Sequence, residues 1–456
     1  MRILQVAHVF PPESTGGTEV HTHLLSRALQ AGHEVAVCYR VFDKGRSEHE
    51  LVQGRYDGIP VYRLVNNFTW VQSPDLAFFD PGLEPAFETV LDLVGPELVH
   101  FHHLGGGLSS SFPSLVRRRS IPMLLTLHDF WPMCHRSHLL TSDGRLCAGP
   151  ESGLRCVQCW LEGAVETKRS VPQRVRELGV RDALKLAPRF ILDRLGLREH
   201  VPPVAYHTIR LMARDLYFRR LLEQFEILLA PSQFLKQRYV NWGVLPERIR
   251  VLQNGVDPTR FEGVCRHLPL GAELQAAYVG SILRYKGLDV LIDAFNQLSD
   301  VPVRLDIYGD TESTPDTKKY ADTLRSRSGN PRVSFKGGFA NCEIGKVLSK
   351  VDLVIVPSIL YENCPMIILE ALYAGRPVIA SNIGGMAELV QDGVNGLTFR
   401  VGDANDLAER VRFLAENRQV LLACQDRIVP PRTIDAVAAD IEACYEELVA
   451  ARRPEG

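Results

Sequence analysis

Short apolar runs alternate with amphipathic segments along this chain, and the alternation starts over once, after about residue 273. Ile3 to Ala7 predicts a buried strand, and Pro11 to Gly17 a loop. Thr18 then caps a predicted helix to about Ala31, with Val20, Leu24, Leu25, Ala28 and Leu29 at helical spacing. Gly32-His33 stops it, and Glu34 to Cys38 is the next strand. Such a strand–helix–strand opening belongs to a doubly wound α/β fold. Further strands are predicted at Leu98 to Phe101, Met123 to Thr126 and Ile227 to Ala230. After a linker near Phe261 to Glu273 the pattern returns: strands at Gln275 to Val279, Val303 to Tyr308, Val333 to Phe335, Asp352 to Val356 and Val378 to Ala380, with helices between. The expected architecture is two Rossmann-like domains facing across a cleft. The first covers 1–262, with a cysteine-bearing insert at about 130–200, and the second covers 263–428. A last helix, 429–456, has Ile434, Val437, Ala438, Ile441, Tyr445 and Leu448 on one face and is long enough to pack back on either domain.

At 456 residues the chain has room for two cores. A formal charge of -2 argues against a general nucleic-acid binder. No apolar run approaches the ~20 residues that span a bilayer. The opening MRILQVAHVF reads as a strand rather than a signal peptide, so cytoplasmic residence is expected.

Open parallel sheets bind ligands at the carboxyl ends of their strands, so the loops there carry the chemistry. In PSILYENCPMIILEALYAGRPVIAS a strand runs out at Pro357-Ser358, Glu362 falls in the loop, and Pro365 opens an apolar helix that stops at Gly375-Arg376-Pro377. Glu370 lies inside that helix, where a bare carboxylate is costly and needs a partner, a bound ligand being one candidate. Gly16-Gly17 permits close approach of an anion or sugar, or is a surface turn. Gly280 to Gly287 carries Arg284 and Lys286, which suit a diphosphate or are solvated surface cations. His128-Asp129 ends a strand, and histidine there can donate a hydrogen bond or carry a proton. His100, His102 and His103 mark a second polar strand end, weaker as a candidate. Gly384-Gly385 fits beside a phosphate or ribose, with Glu388 either on ligand or in a capping network.

Cys134, Cys147, Cys156 and Cys159 are bunched, the last two as C-x-x-C, in a segment too polar to bury a core. Four thiolates suit structural zinc ahead of an iron–sulfur centre, with His135 or His138 as substitutes; ordinary thiols or a redox pair are the alternatives. Four protein ligands leave no open position, so such a site is structural. From Lys168 to Arg198 there are nine Lys/Arg against three Asp/Glu, interleaved with aliphatic residues. That surface suits an anionic membrane or a phosphorylated acceptor, or is a solvated helix face.

Taken in order, Gly16-Gly17, Asn254-Gly255-Val256-Asp257, Gly280 to Gly287, Glu362 to Glu370 and Gly384 to Glu388 resemble the motifs of glycosyltransferase family 4, retaining enzymes of the glycosyltransferase B fold. The two glutamates with seven residues between them are its most specific element. The resemblance implies an acceptor in the first domain and a nucleotide-sugar (UDP-, GDP- or another NDP-hexose) in the second. Glu370 would hold the ribose hydroxyls, and Glu362 the donor sugar near the reacting centre. Backbone around Asn363 and Cys364 would serve sugar or phosphate. Lys286 would neutralise the diphosphate, Gly17 would let its backbone touch the β-phosphate, and His128 would hydrogen-bond the donor sugar. No catalytic divalent metal is implied. The chain departs from the family at Ser281, where an arginine is usual; Arg284 lies three residues on. The implied reaction moves a hexose to a glycan, a lipid-linked saccharide or a small hydroxyl compound in bacterial polysaccharide synthesis. The protein would sit in the cytoplasm or peripherally on the inner membrane face. A nucleotide-sugar epimerase of the same fold and a catalytically silent sugar-nucleotide binder are the alternatives.

Overall fold

The computed structural model describes residues 1–69, 78–150, 156–159, 203–266 and 271–452. Two sheets organise them. The first takes β1 (Arg2–Ala7), β2 (Glu34–Val41), β3 (Leu51–Tyr56), β4 (Ile59–Val65), β5 (Leu98–Phe101), β6 (Met123–Thr126), β7 (Ile227–Ala230) and β8 (Ile249–Val251) in the order β3-β4-β2-β1-β5-β6-β7-β8. All its neighbours pair in parallel except β3 with β4. The second takes β9 (Leu274–Val279), β10 (Val303–Tyr308), β11 (Val333–Gly337), β12 (Leu353–Val356), β13 (Val378–Ser381) and β14 (Gly396–Phe399) in the order β11-β10-β9-β12-β13-β14, wholly parallel. The central strands are apolar without alternation, as strands covered by helices on both faces must be.

Strand order decides where a ligand can enter. Each sheet reverses direction once: between β1 and β5 in the first, and between β9 and β12 in the second. A crevice opens beyond the strand ends at such a switch point. In the first sheet that brings Gly16-Gly17 near the ends of β5 and β6. In the second it sets the loop carrying Lys286 beside the loop carrying Glu362.

Three local details differ from the sequence reading. Gly16, not Thr18, is the N-cap of helix Gly17–Leu29; its backbone is extended, and no side chain caps the helix. Pro365 is likewise the cap, and its helix begins at Met366. The hairpin β3–β4 is an addition to the predicted strands, with Asp57-Gly58 at its turn. Both residues take positive φ, 49° and 79°, the requirement of a two-residue hairpin turn.

The last helix, Ile434–Ala450, buries its apolar face on the first sheet, in one cluster with Ile3, Val20, Leu24, Leu124 and Ile227. The chain returns to that sheet beside Val256, whose N–H bonds Arg432 O at 3.0 Å while Ile434 N–H bonds Val256 O at 2.8 Å. A Cβ on Gly255 would run into the backbone of Thr433 and Ile434, so Asn254-Gly255 is where the two crossing segments touch.

Candidate active site

Glu362 and Lys286 meet. Lys286 ends a single 3-10 turn, Arg284–Lys286, after β9, and its Nζ donates to Glu362 Oε1 at 2.6 Å. Ser358 Oγ donates to the same oxygen at 2.9 Å. Burial pushes the Glu362 carboxyl up, but the Lys286 charge and these hydrogen bonds more than reverse it, and its pKa lies below the ordinary value. Burial likewise pulls Lys286 down, and Glu362 more than restores it, so its pKa is raised. The pair is therefore fully ionised at neutral pH. A carboxyl whose folded pKa is depressed stabilises the fold above its unfolded pKa and ceases to as pH falls through the folded value. Thermal unfolding of the wild type should therefore lose stability below about pH 4.5 that Glu362→Gln does not lose. Parallel acid limbs in the two melting series would contradict the pairing.

Glycines lock the Glu362 loop from two sides. Gly287 has φ 77°, and a Cβ there would collide with Pro357 O. Gly384 has φ 59°, Gly385 N–H bonds Glu362 O at 2.7 Å, and a Cβ on Gly385 would strike Asn363 O. The Gly384-Gly385 pair thus serves approach of backbone to backbone around Glu362.

Glu370 has a protein partner that sequence reasoning missed. Arg260, in the turn Pro258–Phe261, donates to Glu370 Oε1 at 2.8 Å, and both side chains are 8% exposed. Arg260 also bonds Asn341 through its carbonyl and side-chain oxygens. Burial pushes the Glu370 carboxyl up, and Arg260 only partly offsets it. Among the described residues Oε2 of Glu370 accepts no hydrogen bond.

The other candidates arrive from several directions. Gly17 opens its helix opposite the second domain, where a Cβ would lie 3.7 Å from Met366 Cγ. Two helix N-termini, at Gly17 and Met366, therefore approach each other across the domains, and each carries partial positive charge. His128 lies beyond β6; its carbonyl accepts Asn363 Nδ2 at 2.8 Å across the domains. Asn363 Oδ1 is buried with no hydrogen-bond partner. Burial, then the neighbouring histidines, hold the His128 ring well below its ordinary pKa, so it is neutral. Asp129 accepts from Trp131 N–H at 2.9 Å and contacts His103 Nε2 at 3.2 Å, which fixes the turn carrying His128. Arg284 stands apart from Glu362: its guanidinium covers the Tyr320 ring at 4.6 Å. Gly280 packs against the Tyr278 hydroxyl. Glu388 is at the surface and accepts from the N–H groups of Gln233 and Phe234, capping helix Gln233–Asn241 of the first domain. Burial pushes the Cys364 thiol up to about 12, so it is inert and protonated.

Among the four cysteines of the insert, Cys134 is buried and Cys147, Cys156 and Cys159 are half-buried. Burial pushes the Cys156 thiol up to about 12, with Cys134, Cys147 and Cys159 each adding to the effect, yet no three of these sulfurs lie within 4.8 Å of one another. Arg214 props the segment before them, donating to Pro132 O at 2.9 Å and to Trp131 O. His135 lines a small cavity with Cys156, whereas His138 packs on Tyr285 at 5.2 Å. The basic stretch Lys168 to Arg198 lies outside the described residues. No helix of the described residues is long and apolar enough to cross a membrane.

Comparison with known proteins agrees with this layout. The family description "Glycosyl transferase 4-like domain" matches residues 16–255, and "Glycosyl transferases group 1" matches 273–417. Glycogen synthase of Mycobacterium tuberculosis is 30% identical over 434 residues, 91% of this chain and 86% of that protein. A putative colanic acid biosynthesis glycosyltransferase of Salmonella typhimurium is 27% identical, over 48% of this chain. The chain spans only 56% of that protein's length and 53% of the Mycolicibacterium smegmatis alpha-maltose-1-phosphate synthase. Among solved structures, sucrose-phosphate synthase from Thermosynechococcus elongatus superposes with TM-score 0.68 at 19% identity, covering 99% of this chain and 100% of that one. Anabaena HepE in complex with UDP and glucose gives 0.61 at 18% identity, covering 98% and 100%. These last two share the two-domain glycosyltransferase B fold. With both halves of the chain matched in order, the protein belongs to the group 1 glycosyl transferases, with a glycosyl transferase 4-like first domain.

Proposed function

We propose that this chain transfers a hexose from a nucleoside-diphosphate sugar to an acceptor hydroxyl with retention of anomeric configuration. The observation that carries the reading is the Lys286–Glu362 pair at the switch point of the second sheet. A diphosphate there would meet Lys286 and backbone N–H groups, positive charge placed where the leaving group becomes more negative. Arg284 would join them by leaving the Tyr320 face. Ribose hydroxyls suit Glu370 Oε2, since Oε1 already serves Arg260. The hexose would lie between Glu362, the unpartnered Asn363 Oδ1 and His128. In same-face transfer the acceptor oxygen forms its bond to C1 as the C1–phosphate oxygen bond breaks, and the acceptor proton passes to the departing phosphate oxygen. These side chains supply the needed positive charge without a catalytic divalent metal. Closure, held by Asn363 on His128 and Glu388 on Gln233, excludes water from the donor.

The experiment is a thermal-shift screen over UDP-, GDP-, ADP- and dTDP-sugars, followed by an assay of nucleotide release with and without acceptor. One donor class should raise the melting temperature, and release should require an acceptor. An isomerised donor without acceptor would point to an epimerase, and no release at all to a silent binder. Vesicle sedimentation addresses a membrane-borne acceptor: anionic but not neutral lipid should bring the chain down.

Cys134, Cys147, Cys156 and Cys159 would hold structural zinc once drawn closer than the structure has them, and such a tetrahedral thiolate site is closed to substrate. Zinc would tie a polar segment that has little core of its own. Elemental analysis of the purified chain should find zinc that Cys156→Ser with Cys159→Ser loses, together with a lower melting temperature. Equal metal content in both would contradict the assignment.

A further inference from the structure

Beneath the first helix, the first domain gathers more imidazole than its neighbours can satisfy. His21 lies one turn into helix Gly17–Leu29, His102 follows β5, and His128 follows β6. A ring nitrogen of each lies within 4.8 Å of those of the other two. His21 and His102 are buried, 2% and 1% exposed. Buried polar atoms are normally hydrogen-bonded, yet both ring nitrogens of His21 are buried without a partner.

The neighbouring network decides which lone pair His102 presents. Its Nε2 contacts Gln5 Oε1 at 2.7 Å, and Gln5 Nε2 donates to the Tyr445 hydroxyl at 3.3 Å. A carboxamide oxygen only accepts, so Nε2 of His102 carries the proton and Nδ1 keeps its lone pair. That Nδ1 accepts from His128 Nε2 at 3.2 Å, and the His128 proton would move to its Nδ1 when a cation takes both lone pairs. Metal-binding histidines are oriented in this way, with the remote N–H given to a fixed acceptor. Zinc–nitrogen bonds of about 2.0–2.1 Å put tetrahedral ligand atoms about 3.3 Å apart. His102 and His128 already stand at that spacing, and His21 has no hydrogen bond to break in turning toward them.

We propose that His21, His102 and His128 form a binding site for a first-row divalent transition cation, zinc suiting three imidazoles best. The fourth position is left to water or an anion. The site is separate from the cysteine cluster, but it shares His128 with the proposed hexose contact, so a bound cation would take that ring from the donor.

The test uses the full chain carrying Cys156→Ser and Cys159→Ser, stripped with chelator and titrated with cobalt(II). The expected result is a single bound cobalt with visible bands of nitrogen and oxygen ligation and no thiolate charge-transfer band. Adding His21→Leu, which removes an unsatisfied buried polar group and so keeps the fold, should abolish it. Absence of binding, or binding unchanged by His21→Leu, overturns the proposal. If the serine variant does not fold, zinc-edge X-ray absorption of the wild-type chain and of His21→Leu, each saturated with zinc and desalted, decides. An imidazole shell in the wild type that His21→Leu lacks is expected. Sulfur ligation alone, no zinc, or identical spectra refutes it.

Discussion

Replacing Glu362 by glutamine should lower sugar transfer by about 10²–10³-fold while the protein stays folded. The amide keeps the volume of the side chain and can still bond Ser358, so the loop between Gly287 and Gly385 has no reason to move. The charge facing Lys286 is what changes. Lys286 Nζ is held at 2.6 Å by a full carboxylate whose own pKa is depressed by the contact. With a neutral partner the ammonium is free to reposition, and the field at the reacting centre changes with it. If Glu362 acts there, kcat should fall more than donor affinity. Initial rates at saturating donor, with a melting curve as the control for folding, make the comparison. Undiminished transfer would remove Glu362 from the centre of the reaction.

Glu370→Ala should have two large and separable consequences. The first is structural: Arg260 would remain buried with no counter-charge, a loss that costs about 3–5 kcal/mol when one partner of a buried pair is removed. The second is functional: the donor should no longer raise the melting temperature. A double variant, Arg260→Met with Glu370→Leu, separates them. It replaces the pair by apolar groups of similar size, which is often neutral for stability. It should recover most of the fold's stability in urea unfolding and still fail to bind donor. Donor binding by the double variant would reduce Glu370 to a structural partner of Arg260. Full stability of Glu370→Ala would show that the Arg260 contact contributes little.

That pair also separates what local sequence encodes from what the fold alone brings together. The strand before Glu362, the helix behind it and the glycines around it follow from local rules, because proline caps, glycine stops and apolar runs act over a few residues. The doubling of strand–helix units likewise implies two sheets and their ligand-binding edges. Arg260 is 110 residues from Glu370 and carries no local mark of its role. A buried carboxylate announces that it needs a partner but not which one. Ser358, four residues before Glu362, is a local partner, but a serine at a strand end carries no mark that its hydroxyl turns to a carboxylate. Gly384-Gly385 was legible as a close-approach site, but the sequence could not show that backbone is what approaches. His21 falls at a core-facing position of an amphipathic helix, where an ordinary buried residue is expected; only the folded chain sets it beside His102 and His128. Glu388 had two readings, and the folded chain places it on a helix N-terminus of the first domain.

The central claim is that an activated sugar lies between the domains with its ribose on Glu370 and its hexose on Glu362. A crystal structure with the nucleotide-sugar that the thermal screen selects tests it most directly. The account predicts ribose hydroxyls within hydrogen-bond distance of Glu370, the diphosphate at Lys286 and the N-termini at Gly17 and Met366, and the hexose against Glu362, Asn363 and His128. A donor bound elsewhere, with the Lys286–Glu362 and Arg260–Glu370 pairs untouched by it, would contradict the account.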